Sequence, residues 1–383
     1  MSSASTLNFL DCFDCVEDPR VDRQKQHLLL DLMFISIAAT IAGAEGPTDI
    51  EEFATEKLDW CRKFVPLTNG VPSHDTIGRV LGLIRPLEFQ KAFLEWVASF
   101  LADELPGESE VKFVAIDGKT ARGSHGSKDR DNPLHIVSAW ASQQSVSLGQ
   151  VAVDEKSNEI TAIPKLLQML ELAGAIVSID AMGCQKEIAK EIVKGGGDYV
   201  LAVKDNQPKL ADEVYDFFLQ LHEHENFAEH KVRRHVTTEK SRGRFETRAY
   251  FIAPLPESMN HFRKDWVGLR SIGQVIRTVE HRGKETAEVH NYISSRPPKV
   301  QEFATATRGH WSIESMHWIL DVVFGEDKSR IRNGYATENF SALNKFVIGL
   351  IKRDTSRGSI KGKRKRAAWS TKFLEKTLFG KVF

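Results

Sequence analysis

Residues 111–117 read VKFVAID and run straight into Gly118-Lys119, while residues 175–180 read AIVSID and run into Ala181-Met182-Gly183-Cys184. Both are apolar, β-rich runs of strand length, and each enters a lone aspartate, Asp117 or Asp180. Further β-rich runs at 134–142 and 146–154 are separated by short, turn-rich connections. With 111–117 they predict an antiparallel meander. A helix at 161–172, the strand at 175–180, a helix at 185–193 and a strand at 199–204 then predict a β-α-β connection. The order predicts an α/β fold, a mixed sheet with helices on both faces. Ligands of open α/β sheets sit at the carboxyl ends of strands, where Asp117 and Asp180 are expected. If the first meander strand neighbours the first β-α-β strand, the two carboxylates converge.

The flanks have a different period. Residues 28–42, 49–64, 77–84 and 86–101 read as helices, with Thr48 and Ser73 available as caps. They predict a small all-helical head, and the polar run 103–110 (DELPGESE) reads as a linker. A helix over 210–222 is followed by β-rich runs at 231–238, 244–252, 271–280 and 285–294, and then by helices at 305–323 and 337–353. The expected organisation is a helical unit over 1–105, a catalytic unit over 106–355 with a β-rich insertion at about 228–300, and a basic tail over 356–383.

The third feature is the segment 308–321, RGHWSIESMHWILD. On a helix, His310, Glu314, His317 and Asp321 form one polar stripe, and Ile313, Met316, Leu320 and Val323 form an apolar one. Two aspartates at strand ends and a helical glutamate make the oxygen-rich ligand set that two hard cations need for phosphodiester cleavage. Converging carboxylates repel and raise one another's pKa unless a cation neutralises them. Other readings stand beside this one. Asp117-Gly118 is a turn dipeptide, Asp180 could cap a helix, Glu314 could be solvated, and the histidine stripe could hold zinc. Lys119 and Arg122, on a loop just past the first aspartate, could grip phosphate. Lys204 and Asn206 are expected to line the same crevice, and Arg242, Arg244 and Arg248 fit either a DNA contact or a subunit interface.

Composition narrows the class. The chain has 383 residues and 52 basic against 52 acidic side chains, so it carries no global signal for nucleic acid. The balance hides an asymmetry. Residues 1–110 carry 19 acidic and 9 basic side chains, whereas residues 352–383 carry 11 basic and 2 acidic ones. The cluster 361–366 (KGKRKR) suits phosphate contact or a solvated, disordered tail. Four scattered cysteines argue for a reducing compartment, and Cys12-x-x-Cys15 lacks the second pair a zinc site would need. Residues 28–44 are nearly all apolar, but Asp31 lies within them and they fall short of the roughly 20 residues needed to cross a bilayer. A buried helix and a cytoplasmic protein are expected.

The motifs 17–20 (EDPR), 27–31 (HLLLD), 72–76 (PSHDT), 115–119 (AIDGK), 178–181 (SIDA), 199–207 (YVLAVKDNQ), 242–248 (RGRFETR), 292–295 (YISS) and the block 311–327 occur in this order. The chain thereby resembles the DDE transposases of insertion sequences, in the branch containing the H-repeat-associated proteins of Rhs elements, over nearly its whole length. The resemblance implies a ribonuclease-H-like core, with Asp117, Asp180 and Glu314 as catalytic, metal-binding residues. It implies two Mg²⁺ ions, with Mn²⁺ as an alternative, and DNA (element ends and target) as the partner of a homodimer or larger assembly. Related enzymes often carry an arginine four residues before the glutamate and a lysine seven after it. Here those positions are His310 and Asp321, and Arg308 and Arg330 are the candidates for the missing cation. The expected activity is hydrolysis at element ends followed by transfer of the 3′-OH. A structure-specific nuclease on the same fold, or a non-catalytic DNA-binding relic, would be the alternative.

Overall fold

The computed structural model describes residues 11–380 apart from 22, 24, 102–110, 126–131, 155–156 and 242. Apolar side chains on nearly every side make helix α1 (Leu29–Ala42) a core helix, closed by Gly43 in the left-handed conformation at φ 119°. The expected single helix over 49–64 is two, α2 (Pro47–Glu56) and α3 (Leu58–Cys61), because Lys57 leaves the helical region. Pro47 occupies the first turn and Gly46, rather than Thr48, is the N-cap. Helix α4 (His74–Leu83) is capped as its sequence predicts, the Ser73 hydroxyl accepting the Thr76 N–H, and α5 (Pro86–Leu101) follows. The polar run expected to be a linker lies outside the described residues.

Strand β1 (Lys112–Ala121) runs four residues past Asp117. The whole of 114–121 pairs with β2 (Leu134–Ala141), and β3 (Val146–Ala152) completes the meander. Gly118 is therefore a strand residue, not a turn residue. A Cβ there would overlap the Glu159 carboxylate and the His135 ring, so a larger residue would have to displace those side chains. Next come α6 (Glu159–Leu167), β4 (Ala175–Ile179), α7 (Lys186–Lys194), β5 (Asp198–Val203) and α8 (Pro208–His224). β4 lies parallel to both β1 and β5, as the β-α-β order predicts.

The insertion strands are β6 (Arg233–Ser241), β7 (Arg244–Pro254), β8 (Ser271–His281) and β9 (Lys284–Ser294). They do not form a separate sheet. β9 pairs antiparallel with β5, giving one nine-stranded mixed sheet in the order β3-β2-β1-β4-β5-β9-β8-β7-β6. Helix α9 (Val300–Val323) lies across β1 and β4 on one face. On the other face, Val114, Ile116 and Val177 pack with Ile163, Ile188 and Leu210 of α6, α7 and α8.

The final segments depart from the expected tail. Helix α10 (Ala336–Arg353) is followed by α11 (Ile360–Trp369) and α12 (Thr371–Phe379), whose N-caps Ser359 and Ser370 accept the Gly362 and Phe373 N–H groups. Lys363 and Arg364 of the basic cluster are buried, while Lys361 and Lys365 face outward. The reason is a docking site. Arg364 donates to the carbonyls of Thr40 and Ala44 at the end of α1 and of Val323 at the end of α9, covering acceptors that helix ends leave open. One apolar core joins Met33, Ile50, Val80 and Phe93 of the head to Leu320, Phe346, Leu374 and Phe379. Among the described residues no single helix is long and apolar enough to cross a membrane.

Candidate active site

β1 and β4 stay in register up to Ile116 opposite Ile179. The next residue on each chain is an aspartate, so register alone places Asp117 and Asp180 side by side on the face that α9 covers. Asp117 takes the Gly118 N–H on Oδ1 at 2.9 Å and stands 3.4 Å from His317 Nδ1 through Oδ2. Asp180 takes the Gly183 N–H at 3.2 Å but does not cap α7, whose N-cap is Gln185. Glu314 lies on α9 between His310 and His317, toward the same carboxylates.

Burial works against the charge on Asp117, yet the hydrogen bond and charge of His317, His310 and the Gly118 N–H hold its pKa below the ordinary carboxylate value. Asp180 is pushed up by burial and by the charges of Asp117 and Glu159, against the Gly183 N–H. Glu314 is pushed up by burial and then by Asp117, with Asp180 adding to it and Arg277 and Lys204 opposing. One carboxylate is held ionised while two neighbours feel its repulsion. That is the electrostatic state of a donor set that gains from a cation.

The donors fit a hard divalent ion in type, three carboxylates with two imidazoles beside them. Two ring nitrogens at this place, Nδ1 of His310 and Nε2 of His317, are buried with no hydrogen-bond partner. Among the described residues, no three His, Cys, Asp or Glu side chains are placed together so as to hold a metal ion as they stand. None of the four cysteines is in a disulfide.

The other expected site residues divide. Lys119 is not on a loop. It is a buried strand residue on the Asp117 face, and its ammonium sits 2.7 Å from Asp321, 3.0 Å from Glu326 and 3.4 Å from Asp327. It therefore answers the acid at 321. Arg122, on the turn Arg122–Ser124, is 81% exposed and loosely paired with Asp327. Lys204 is exposed at the end of β5, near Glu314. Asn206 donates to the Ala181 and Cys184 carbonyls and so braces the loop that follows Asp180. Arg308 is held by both oxygens of Glu239 on β6. His310 is held within reach of the charges of Asp117 and Asp180, and burial lowers its pKa. Arg330 lies elsewhere, in a cleft with His74, Asp75 and Arg79. Arg248 is buried against Glu246 with its guanidinium 4.9 Å from the Trp311 ring, while Arg244 is exposed and Arg242 lies outside the described residues.

A cavity of about 350 Å³ opens beside Glu314, lined by Arg248, Arg277, His290, Arg308 and Trp311 among others. Arg277 and His290 escaped sequence reasoning, because only the β5–β9 pairing brings the insertion to this edge. His317 had a signal, its place three residues beyond Glu314 on the polar stripe.

The chain is similar to known proteins over most of its length. A family model described as the Transposase DDE domain matches residues 109–350, and one described as DDE_Tnp_1-associated matches residues 10–97. "Putative transposase YncI" of Escherichia coli O157:H7 is 39% identical over 380 residues, covering 98% of this chain and 95% of that protein. "H repeat-associated putative transposase YhhI" of E. coli K12 is 37% identical over 375 residues, covering 95% and 96%. A cryo-EM structure of a piggyBac transposase synaptic complex with hairpin DNA aligns with a TM-score of 0.39 at 11% identity, over 98% of this chain and 81% of that one.

Proposed function

The chain belongs to the DDE transposase family, in its H-repeat-associated branch, and from that premise we propose that Asp117, Asp180 and Glu314 catalyse divalent-metal-dependent cutting and joining of DNA. The observation that carries this reading is the β1–β4 register, which sets two aspartates adjacent under a helix bearing the glutamate. In this reading, residues 106–355 form a ribonuclease-H-like catalytic unit, the head 1–105 and the C-terminal helices support it, and two Mg²⁺ or Mn²⁺ ions are the cofactors.

Asp117, Asp180 and Glu314 would hold the ions. When bound, these activate a water or 3′-OH and stabilise the leaving oxygen of an in-line displacement. The protein's own part is positional. Asp117 is kept ionised by His317 and the Gly118 N–H, Asn206 steadies the Asp180 loop, and Lys204, Arg277 and Arg308 form a cationic rim where phosphates would lie. The substrate is element-end DNA, nicked to a 3′-OH that then attacks target DNA. The protein acts as a dimer or larger assembly in the cytoplasm, where its cysteines stay reduced.

Asp117→Asn, Asp180→Asn and Glu314→Gln should each lower Mg²⁺-dependent nicking and strand transfer by roughly a thousandfold or more, since each removes several kcal/mol of charge stabilisation. DNA affinity, read by fluorescence anisotropy, should stay close to that of the parent. Retained cleavage in any one variant removes that residue from the triad. Cleavage without joining would identify a nuclease instead.

A further inference from the structure

The three arginines that line the cavity beside Glu314 are all paired. Arg248 is held by Glu246, Arg277 by Glu246 at 2.9 Å and Glu288 at 3.0 Å, and Arg308 by the two oxygens of Glu239 at 3.1 and 2.9 Å. The acids come from the insertion, Glu239 from β6, Glu246 from β7 and Glu288 from β9. A wall suited to phosphate thus carries a carboxylate for each guanidinium, and in this state it has little net attraction for a polyanion.

Exposure decides which pair can open. The side chains of Arg248 and Glu246 are 5% and 18% exposed, so parting them would strand a buried charge. Those of Arg308 and Glu239 are 46% and 50% exposed, where an ion pair contributes little and water replaces either partner at small cost. A phosphate offers the same guanidinium bidentate, charge-assisted bonds. Glu239 also has a second place to go. Its Oε2 stands 3.6 Å from Nη1 of Arg248, a buried nitrogen with no hydrogen-bond acceptor among the described residues. Arg308 borders both the Glu314 cavity and a larger one of about 520 Å³ that Glu239 lines, so the pair stands where the two adjoin along α9. We propose that Glu239 is a latch on the DNA-binding surface: in the free protein it occupies Arg308, and an incoming DNA phosphate takes that guanidinium while Glu239 turns to Arg248. The inference rests on the reading of this site as a DNA-cutting centre given above. The exchange sets one ion pair against every binding event, which disfavours a duplex that brings no phosphate to Arg308.

The test is fluorescence anisotropy of a labelled random-sequence DNA duplex with the full-length protein, in EDTA so that binding is read without cleavage, across a potassium chloride series. Glu239→Gln should bind about fivefold tighter than the parent at low salt. The slope of log affinity against log salt should steepen by up to about one unit, since no displaced carboxylate is left to take up a counterion. Arg308→Gln should bind more weakly than the parent, and adding Glu239→Gln to it should bring no gain. Thermal melting checks the folding of each variant, and Glu239→Thr, suited to a strand, serves as a second removal of the carboxylate. Equal affinity and slope in the parent and the Glu239 variants overturn the latch and leave the catalytic reading intact. So does a gain that persists in the Arg308→Gln background, which marks a general effect of charge. A parent protein that binds no DNA overturns both.

Discussion

Asp31 is a carboxylate on a helix that is otherwise almost entirely apolar. It is 1% exposed, its Oδ1 has no partner, and only the Leu67 backbone meets it. Burial outweighs that hydrogen bond and lifts its pKa from 3.8 to about 6. Because the folded value is the higher one, the folded chain keeps a proton that the unfolded chain releases between those two values. The stability linked to this proton is present below pH 3.8 and lost as pH rises through 6. Two units at 1.36 kcal/mol each set an upper scale of about 3 kcal/mol. Asp31→Asn keeps an acceptor for Leu67 and removes the charge. Urea unfolding at pH 7.5 should therefore find the variant about 1–3 kcal/mol more stable than the parent, with a flatter profile between pH 4 and 6. An equal or lower stability would mean that the carboxylate has a partner when ionised. The sequence displays Asp31 as one acid in an apolar run. Its poor hydrogen bonding depends on a distant loop, and no local pattern encodes that.

At the scale of elements, the contact that fixes α9 over β1 is ionic. Lys119 on β1 reaches Asp321 on α9 and Glu326 and Asp327 on the turn behind it, all within 3.4 Å. Glu326 is 6% exposed and faces that ammonium at 3.0 Å. In return, Glu326 and Asp321 keep the lysine pKa raised although burial opposes it. Asp321 stands two helical turns beyond Glu314, so the same contact sets where the glutamate sits relative to Asp117. Lys119→Met should cost about 3–5 kcal/mol, as removing one member of a buried ion cluster leaves the rest uncompensated. Lys119→Arg should retain most of that stability. Chemical denaturation of both variants checks it, and a small loss in Lys119→Met would show that the carboxylates find protons or water instead. Lysine two residues past Asp117 and an acid seven past Glu314 were both legible as residue types. That they neutralise each other depends on the height at which α9 crosses β1, and hydrophobic period does not fix that height. The adjacency of Asp117 and Asp180 was legible, because it needs only strand period, parallel direction and neighbouring order. The Arg277 and His290 wall was not, because nothing local says that an antiparallel insertion continues the sheet.

Across the whole molecule, the chain reads as a helical head, a catalytic middle and a basic tail, yet its core does not divide that way. Residues 336–353 form a helix whose 339–351 stretch is buried throughout, between the sheet and the head helices. The segment read as a tail closes this core. Leu374, Leu378 and Phe379 pack into it, Glu375 accepts the Trp60 indole N–H at 2.8 Å, and Arg364 lies 4.0 Å over the Phe324 ring while holding three helix-end carbonyls. Composition concealed this, because a run of lysines and arginines looks solvated until two of them are turned inward. A chain ending at Arg353 would expose the apolar surface beneath α12, strand the Trp60 N–H and reopen the ends of α1 and α9. Each buried hydrogen bond to the Arg364 guanidinium is worth roughly 1.5–3 kcal/mol, a large part of the roughly 5–15 kcal/mol that holds a protein together. The truncated chain should therefore be insoluble, or soluble without a cooperative melting transition, before any change in DNA affinity can be read. Arg364→Ala in the full chain is the milder form of the same cut and should lower stability by at least about 3 kcal/mol. If the truncated chain instead melts cooperatively near the parent temperature and loses only DNA affinity and its salt dependence, the C-terminal helices are a DNA-contacting appendage and not part of the core.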